Sequence, residues 1–351
     1  RDQYVYFVMQ FNKPVKALRV RNKGKNLQTQ KRYRGKQLKA ALFFNNSDEV
    51  KVKVGLSAVD VEGARKNLKA EIEGWDFDQV RRATQTAWKH ELGKFAVKGG
   101  AHDQQVSFYT ALYHNMIVPN LFTDVDGRYR GHDSAIHHAG VHPQYTVFSL
   151  WDTYRATHPL YTLMDTARTN DFIHSFLRIY EQGGRLPVWE LAGNETDCMI
   201  GYHSVPVIAD AMQKGIGDFD QNLALEAMQH SAMQDHFGLD AYREMGVIPL
   251  DREHESVSKT LEYAFDDWCI AQSAQILNNE TVNAQFLNRA QFYKNLYDPS
   301  TNFFRARENG GWLTPFDPRE VNFHHTEANA WQYTFYVPQD VQGMIQLMGG
   351  D

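Results

Sequence analysis

Residues 324–340, "HHTEANAWQYTFYVPQD", set two histidines, one glutamate, amide side chains and four aromatic rings within seventeen positions, with Asp340 as the only other acid. A carboxyl group that donates a proton near neutral pH needs surroundings that penalise its anion, and apolar rings supply them. Glu327 suits that role. Phe323, Trp331, Tyr333 and Phe335 share its window, and no Lys or Arg occurs from Val321 to Asp351 to pair with it in sequence. Glycoside hydrolysis uses such an acid together with a second carboxylate that acts as nucleophile or activates water. The competing reading of Glu327 is an ordinary surface or capping glutamate.

Three further stretches share this composition: "FSLWDTYRATHPL" (148–160), "RLPVWELAGNETDCMIGYHS" (185–204) and "HESVSKTLEYAFDDW" (254–268). Each joins Trp or Tyr to Asp, Glu, Asn or His. A sugar ring offers apolar faces to aromatic rings and hydroxyl edges to carboxylates and amides. Taken singly, each stretch reads as a core aromatic beside a cap or turn; together they indicate a carbohydrate site. Other chemistries fit less well. "HESVS" has Ser258 where a zinc-protease helix needs its second histidine. His324, His325 and Glu327 could ligate a metal, but adjacent histidines in extended chain point opposite ways. No Gly-rich phosphate loop and no Gly-x-Ser-x-Gly elbow occurs.

The elements that would position these residues change character along the chain. "YVYFVMQF" (4–11), "KQLKAALFF" (36–44) and "VKVKVGLS" (50–57) read as strands separated by "NKGKN" and "NNSD" turns. In the last strand Val50, Val52, Val54 and Leu56 share the face expected to be buried, opposite Lys51 and Lys53. Beyond Val61 the period becomes helical. Phe77, Val80, Ala83, Ala87, Trp88 and Leu92 recur at helical spacing, and further helices are expected at 103–117, 171–182, 204–215, 221–234, 257–278 and 281–297. A β segment followed by helices without intervening strands argues against an alternating β/α fold and for a β domain attached to an all-helical domain. The long polar links suggest helices whose loops meet at one mouth.

Length and composition set outer bounds. The 351 residues suggest two domains, and 42% hydrophobic residues without an apolar run near eighteen indicate a globular chain with no membrane span. From Lys13 to Lys39 there are eleven Lys/Arg and no acid, but they alternate with apolar residues, so a solvated sheet face is favoured over a nucleic-acid site. Cys198 and Cys269 are expected to be buried free thiols rather than a bridge.

The quoted stretches, with "TEANAWQYTFYVPQD", resemble successive motifs of glycoside hydrolase family 92, the calcium-dependent exo-acting α-mannosidases. The resemblance runs from about residue 50 to the end. It implies an N-terminal β-sandwich, here partial (1–62), linker helices (63–100) and an all-α (α/α)6 toroid, also partial (101–351). It further implies an inverting exo-α-mannosidase that releases terminal mannose from N-glycans or mannan, with Ca2+ assistance and a periplasmic or secreted location. By match to the motifs, Glu327 is the general acid, and Trp151 and Asp152 belong to the terminal mannose pocket. Trp189, Asn194, Glu195, Asp197 and His203 are placed in the same mouth. Gln332, with Asn194 and Glu195, is a candidate calcium ligand.

The family's general base is an aspartate in an acidic Gly-rich motif of the type "GD-x-D-x-G-Q", preceded by a "GNEP-x-HH" stretch, and neither occurs here. The chain is therefore expected to be about the middle half of a longer enzyme. Gln339 stands where the family pattern has histidine. The alternatives are a non-catalytic glycan-binding protein that keeps the aromatic pocket, or another α/α-toroid hydrolase of glucoamylase or trehalase type.

Overall fold

The computed structural model describes residues 3–45 and 49–350, so the expected "NNSD" turn lies largely outside the described residues. Contacts divide the chain into two compact units: residues 4–97 with 124–128, and residues 1–3, 98–123 and 129–351.

The first unit contains β1 Tyr6–Phe11, β2 Val15–Asn22, β3 Lys25–Asn26, β4 Leu38–Phe44 and β5 Val52–Ser57, with helices α1 Val61–Glu71 and α2 Phe77–Leu92. β1 pairs antiparallel with β5, and β2 lies between β3 and β4 in a second small sheet. All eleven basic residues from Lys13 to Lys39 are exposed. Asp60 caps α1 by accepting from Gly63 N at 2.6 Å. At the other end Lys53 Nζ donates to the Ile72 and Glu73 carbonyls at 2.9 and 3.2 Å.

The face of β5 covered by α1 is the opposite of the one expected. Val8, Ala64 and Leu68 form the small core, while Val52, Val54 and Leu56 are exposed with Phe7 and Met9 of the paired strand. Gly55 explains the choice. A Cβ there would run into the Ala64 carbonyl and Leu68, so only glycine lets α1 approach on that side. The apolar stripe expected on α2 is also uncovered: none of its residues is buried, and Phe77 is 70% exposed.

The second unit is mainly helical: α3 His102–Asn115, α4 Leu150–Thr153, α5 Thr157–Met164, α6 Thr166–Gly183, α7 Ser204–Gln213, α8 Gln221–Ala232, α9 Leu239–Met245, α10 Ser256–Ile276, α11 Glu280–Arg289, α12 Ala330–Tyr333 and α13 Val341–Leu347. The six expected helices correspond to α3, α6, α7, α8, α10 and α11, the last followed by a 3-10 turn at Phe292–Leu296. The expected links contain short antiparallel pairs, among them Phe148–Ser149 with Trp189–Glu190. α10 packs against α7, α8 and α11 and is apolar or small on most of its surface. A helix buried all round belongs at the centre of its unit.

Candidate active site

Within its buried surface α10 carries a polar stripe. Ser258, Glu262 and Asp266 stand four residues apart and therefore on one face, and all three have no exposed surface. Each fastens a different loop. Ser258 Oγ accepts from Thr326 N at 2.8 Å, which ties the 322–340 segment to the first turns of α10. Glu262 Oε1 holds Arg155 Nη2 at 3.1 Å. Asp266 Oδ2 accepts from Tyr202 N at 2.8 Å, and its Oδ1 lies 2.8 Å from His203 Nδ1.

His203 lies between two carboxylates. Its Nε2 is 3.2 Å from Glu262 Oε2, close enough for an ion pair though off the line of a hydrogen bond. Its ring stacks on Tyr154 with centroids 4.2 Å apart. Burial alone would lower its pKa, but Asp266 and Glu262 outweigh that and raise it to about 9. Burial would raise the Glu262 pKa; the contact with His203 and the charge of Arg155 reverse the direction and hold it low. Asp266 is pushed up, because for it desolvation wins. The Tyr154 hydroxyl bonds Tyr336 and lies 3.4 Å from Glu262 Oε2, and burial followed by that carboxylate's charge raises its pKa.

The guanidinium of Arg155 covers this cluster. It lies over the rings of Tyr154, Tyr336 and Trp151 at 4.9, 5.1 and 5.7 Å from the centroids, and its side chain is 42% exposed. Trp151 is half-buried, and its Nε1 is buried without a hydrogen-bond partner. Asp152 is exposed and accepts from Ser149 Oγ. Ser149 pairs with Trp189, so Trp151, Asp152 and Trp189 belong to one neighbourhood.

Asn194, Glu195 and Asp197 shape the adjoining loop. Glu195 accepts from Val188 N at 2.8 Å and from Trp189 N and Asp197 N at 2.9 Å each. Asn194 Nδ2 donates to the Ala192 carbonyl, and Asp197, at φ +53°, pairs with Arg185. Beneath them Glu190, 1% exposed, accepts from Thr146 Oγ1, Val147 N and Gly193 N, the last at 2.7 Å. These bonds hold Val147 at φ +68°, a costly conformation for a β-branched residue.

The 322–340 segment differs from its sequence-based picture. Glu327 is exposed and adopts φ +51°, while Phe323, Trp331 and Phe335 are 82%, 51% and 60% exposed. The apolar enclosure expected around Glu327 is therefore not built by the described residues. His325 is 5% exposed, with Nε2 lacking a partner, and burial lowers its pKa to about 4.

The proposed calcium donors do not make a ready cage. Glu195 is committed to three backbone N–H groups, and Gln332 Oε1 accepts from Asn329 N in a capping box. Among the described residues no group of three or more His, Cys, Asp or Glu is placed to hold a metal. Both cysteines are free. Cys269 is buried as expected, whereas Cys198, next to Asp197, is exposed.

Tyr154, Arg155, Glu190, Glu262, Asp266 and Tyr336 were not singled out by residue type alone. For Glu262 and Asp266 the signal was the placement of acids four residues apart on a helix otherwise composed for burial; the other four carried none. A cavity of about 660 Å³ opens beside Tyr154, Arg155 and Tyr336 and runs along Pro206, Phe265 and Trp268; Trp151, Asp152 and Glu327 do not line it.

Half-buried indoles, an exposed Asp152 and a guanidinium held over buried charges make a composition that suits a carbohydrate. The chain belongs to glycosyl hydrolase family 92: the family's catalytic-domain model matches residues 63–351. Its backbone superposes on a GH92 α-mannosidase of Bacteroides thetaiotaomicron, also solved in complex with mannoimidazole, with a TM-score of 0.90 at 42% identity over 99% of this chain. A second protein of that organism, described as an inverting mannosidase, gives 0.89 at 31% identity, again over 99% of this chain. A secreted glycosidase of Arthroderma benhamiae, itself uncharacterised, is 26% identical over 90% of this chain. The chain spans 48% and 49% of the two solved relatives and 42% of the curated one.

Proposed function

We propose that this chain is part of an inverting exo-α-mannosidase that releases terminal mannose from α-mannosides of glycoproteins or mannan. The observation that carries the reading is the fold match at 42% identity to an α-mannosidase, together with the Trp151 ring against Arg155, which Glu262 of α10 holds. A β-sandwich followed by an (α/α)6 toroid is the architecture that goes with this reading. Export from the cell goes with it too, supported by the curated relative being described as secreted.

In this mechanism Glu327 protonates the departing glycosidic oxygen, while a carboxylate elsewhere in the whole protein activates water on the opposite face of the sugar. An inverting pair stands about 6.5–9.5 Å apart to admit that water. Trp151 and Asp152 bind the terminal mannose. The exposure of Glu327 in this chain implies that its enclosure is completed by other parts of the protein or by the substrate. Calcium belongs to this reading as a ligand of the whole protein, and chelation followed by readdition tests it.

The test of the acid is Glu327→Gln in the full-length protein. Turnover of an aryl α-mannoside should fall roughly 10²- to 10⁴-fold with mannose binding retained. Near-normal turnover would remove Glu327 from the role, and a preference for α-glucosides would overturn the mannosidase reading.

A further inference from the structure

The stretch from Lys13 to Lys39 carries eleven Lys and Arg and no acid, a charge of +11, while the other 26 basic and 42 acidic residues leave the rest of the chain at −16. All eleven are exposed, and among the described residues none forms an ion pair with a carboxylate. They lie outside the 63–351 span that the family's catalytic-domain model matches, so that match does not account for them.

Two details of their placement work against stability. Arg21 stands directly opposite Lys39 in the β2–β4 register, and like charges in cross-strand pairs are destabilising. Lys23 sits at φ +48° beside Gly24 at φ +79° in the two-residue turn between β2 and β3, where asparagine, aspartate or glycine is the favoured first residue. Solubility requires neither, since charges of both signs serve it as well.

The fold also gathers the charges. Arg19 and Arg21 of β2 share a face with Lys39 of β4, and the Arg19 guanidinium lies 4.9 Å from the centroid of the Phe43 ring on that face. At the end of this sheet the run "QKRYRGK" (30–36) comes against the turn: a Cβ on Gly35 would stand 2.7 Å from Asn22 Nδ2, and Asn22 pairs with Lys25. Lys31, Arg32, Arg34 and Lys36 are thereby brought to the tip that carries Lys23 and Lys25.

A basic run of this kind is the sequence form of a nucleic-acid or a heparin-type patch. Ring content separates the two. Single-stranded nucleic acid stacks its bases on free aromatic faces. Here Tyr33 is partly buried with its hydroxyl accepting from Gln30 N at 2.9 Å, and Phe43 lies under the Arg19 guanidinium. Sulfates and carboxylates on a polysaccharide need only cations, and arginine meets them with a bidentate fork. Glycans are also what a member of a glycoside hydrolase family encounters.

We propose that the sheet of β2, β3 and β4, with the 31–36 run, is an anchoring surface for a linear anionic polysaccharide bearing sulfates or carboxylates. It holds the protein at an acidic glycan and takes no part in turnover. This goes beyond the mannosidase reading and does not depend on which glycoside is cleaved.

The experiment titrates the full-length protein with a heparin octasaccharide, using a neutral mannan fragment and single-stranded DNA of equal charge as comparators. Heparin should bind more tightly than either, and its affinity should fall about tenfold to a hundredfold from about 50 to 200 mM salt, as for roughly three or four neutralised charges. Arg32→Glu with Arg34→Glu should weaken it about tenfold or more, whereas Arg81→Glu with Lys89→Glu on α2, an equal change in net charge, should alter it less than about threefold. Lys23→Asn removes a charge and eases the turn, so it should raise the melting temperature while weakening heparin about twofold or more, a pairing that folding damage does not produce. Turnover of a neutral aryl α-mannoside should be the same in every variant. Wild type that does not bind heparin at about 50 mM salt, or an Arg32/Arg34 variant within about twofold of wild type, overturns the proposal. DNA bound more tightly than heparin overturns it too and assigns the surface to nucleic acid. Heparin binding without mannoside turnover in the wild type would instead count against the mannosidase reading alone.

Discussion

Two buried histidines are tied to α10 and have been given opposite electrical characters. His203 is 1% exposed and lies between Asp266 and Glu262; His325 is 5% exposed and finds only Asn322 Oδ1, at 3.4 Å, while its Nε2 has no partner. Burial acts on both in the same direction, against the imidazolium. Carboxylate neighbours reverse it for His203, whose pKa rises to about 9, and nothing reverses it for His325, whose pKa falls to about 4. Depth alone therefore says little about a histidine's charge. The i, i+4 acids of α10 decide it, and one of them, Glu262, also holds Arg155 of the 150–155 segment.

The most severe way to break this contrast is His203→Ala. It removes the cation between two fully buried carboxylates and leaves Asp266 without its charge partner, a loss of roughly 3–5 kcal/mol for a broken buried pair. Urea denaturation of the full-length protein measures it. A cost under about 1 kcal/mol would mean that His203 does not hold the cluster, since ordinary surface changes already reach half that.

The pH dependence of stability gives a second, smaller separation. The folded pKa of His203 is raised above the ordinary 6.5, so its contribution is fully present below pH 6.5 and is lost as pH rises toward 9. The groups facing it are Asp266, Glu262 and the stacked Tyr154; Glu262 is shifted down and Tyr154 up, both away from that window, and burial shifts Asp266 up. Wild-type melting temperature should decline from pH 6.5 to pH 9, and His203→Gln should flatten that limb. An unchanged slope in the variant would assign the decline to some other group.

The contrast also shows what could be read from the chain beforehand. The change from strand to helix near Val61, the helices with clear periodicity and the Trp/Tyr–carboxylate composition of the loops were visible because each is a local pattern. Which face of β5 is covered was not, since Gly55 permits a close approach that alternation cannot reveal. The reading of Glu327 assumed that neighbours in sequence would be neighbours in space. At φ +51° the chain turns at Glu327, and Phe323 and Phe335 stand in solvent instead of around it. Arg155, Glu262 and Asp266 were present in the quoted stretches, but their pairing spans 63 to 107 positions, and no local pattern encodes a partner so distant.

The mildest test addresses His325. Because its ring is neutral in the fold and Nε2 makes no hydrogen bond, a phenyl ring of similar shape forfeits only the long contact to Asn322, so His325→Phe should change stability by about 1 kcal/mol or less. Its larger signature lies in acid. A histidine whose folded pKa is lowered binds protons in the unfolded chain first, so stability at pH 4 falls below that at pH 6.5. The neighbouring His324 is shifted down in the same direction and keeps part of this acid limb in the variant. Replacing His325 should therefore shrink the acid limb without abolishing it and leave the limb above pH 6.5 untouched. If instead the alkaline limb moves, the 322–325 segment and the His203 cluster are coupled through α10, and the two histidines are one electrostatic unit rather than two independent ones.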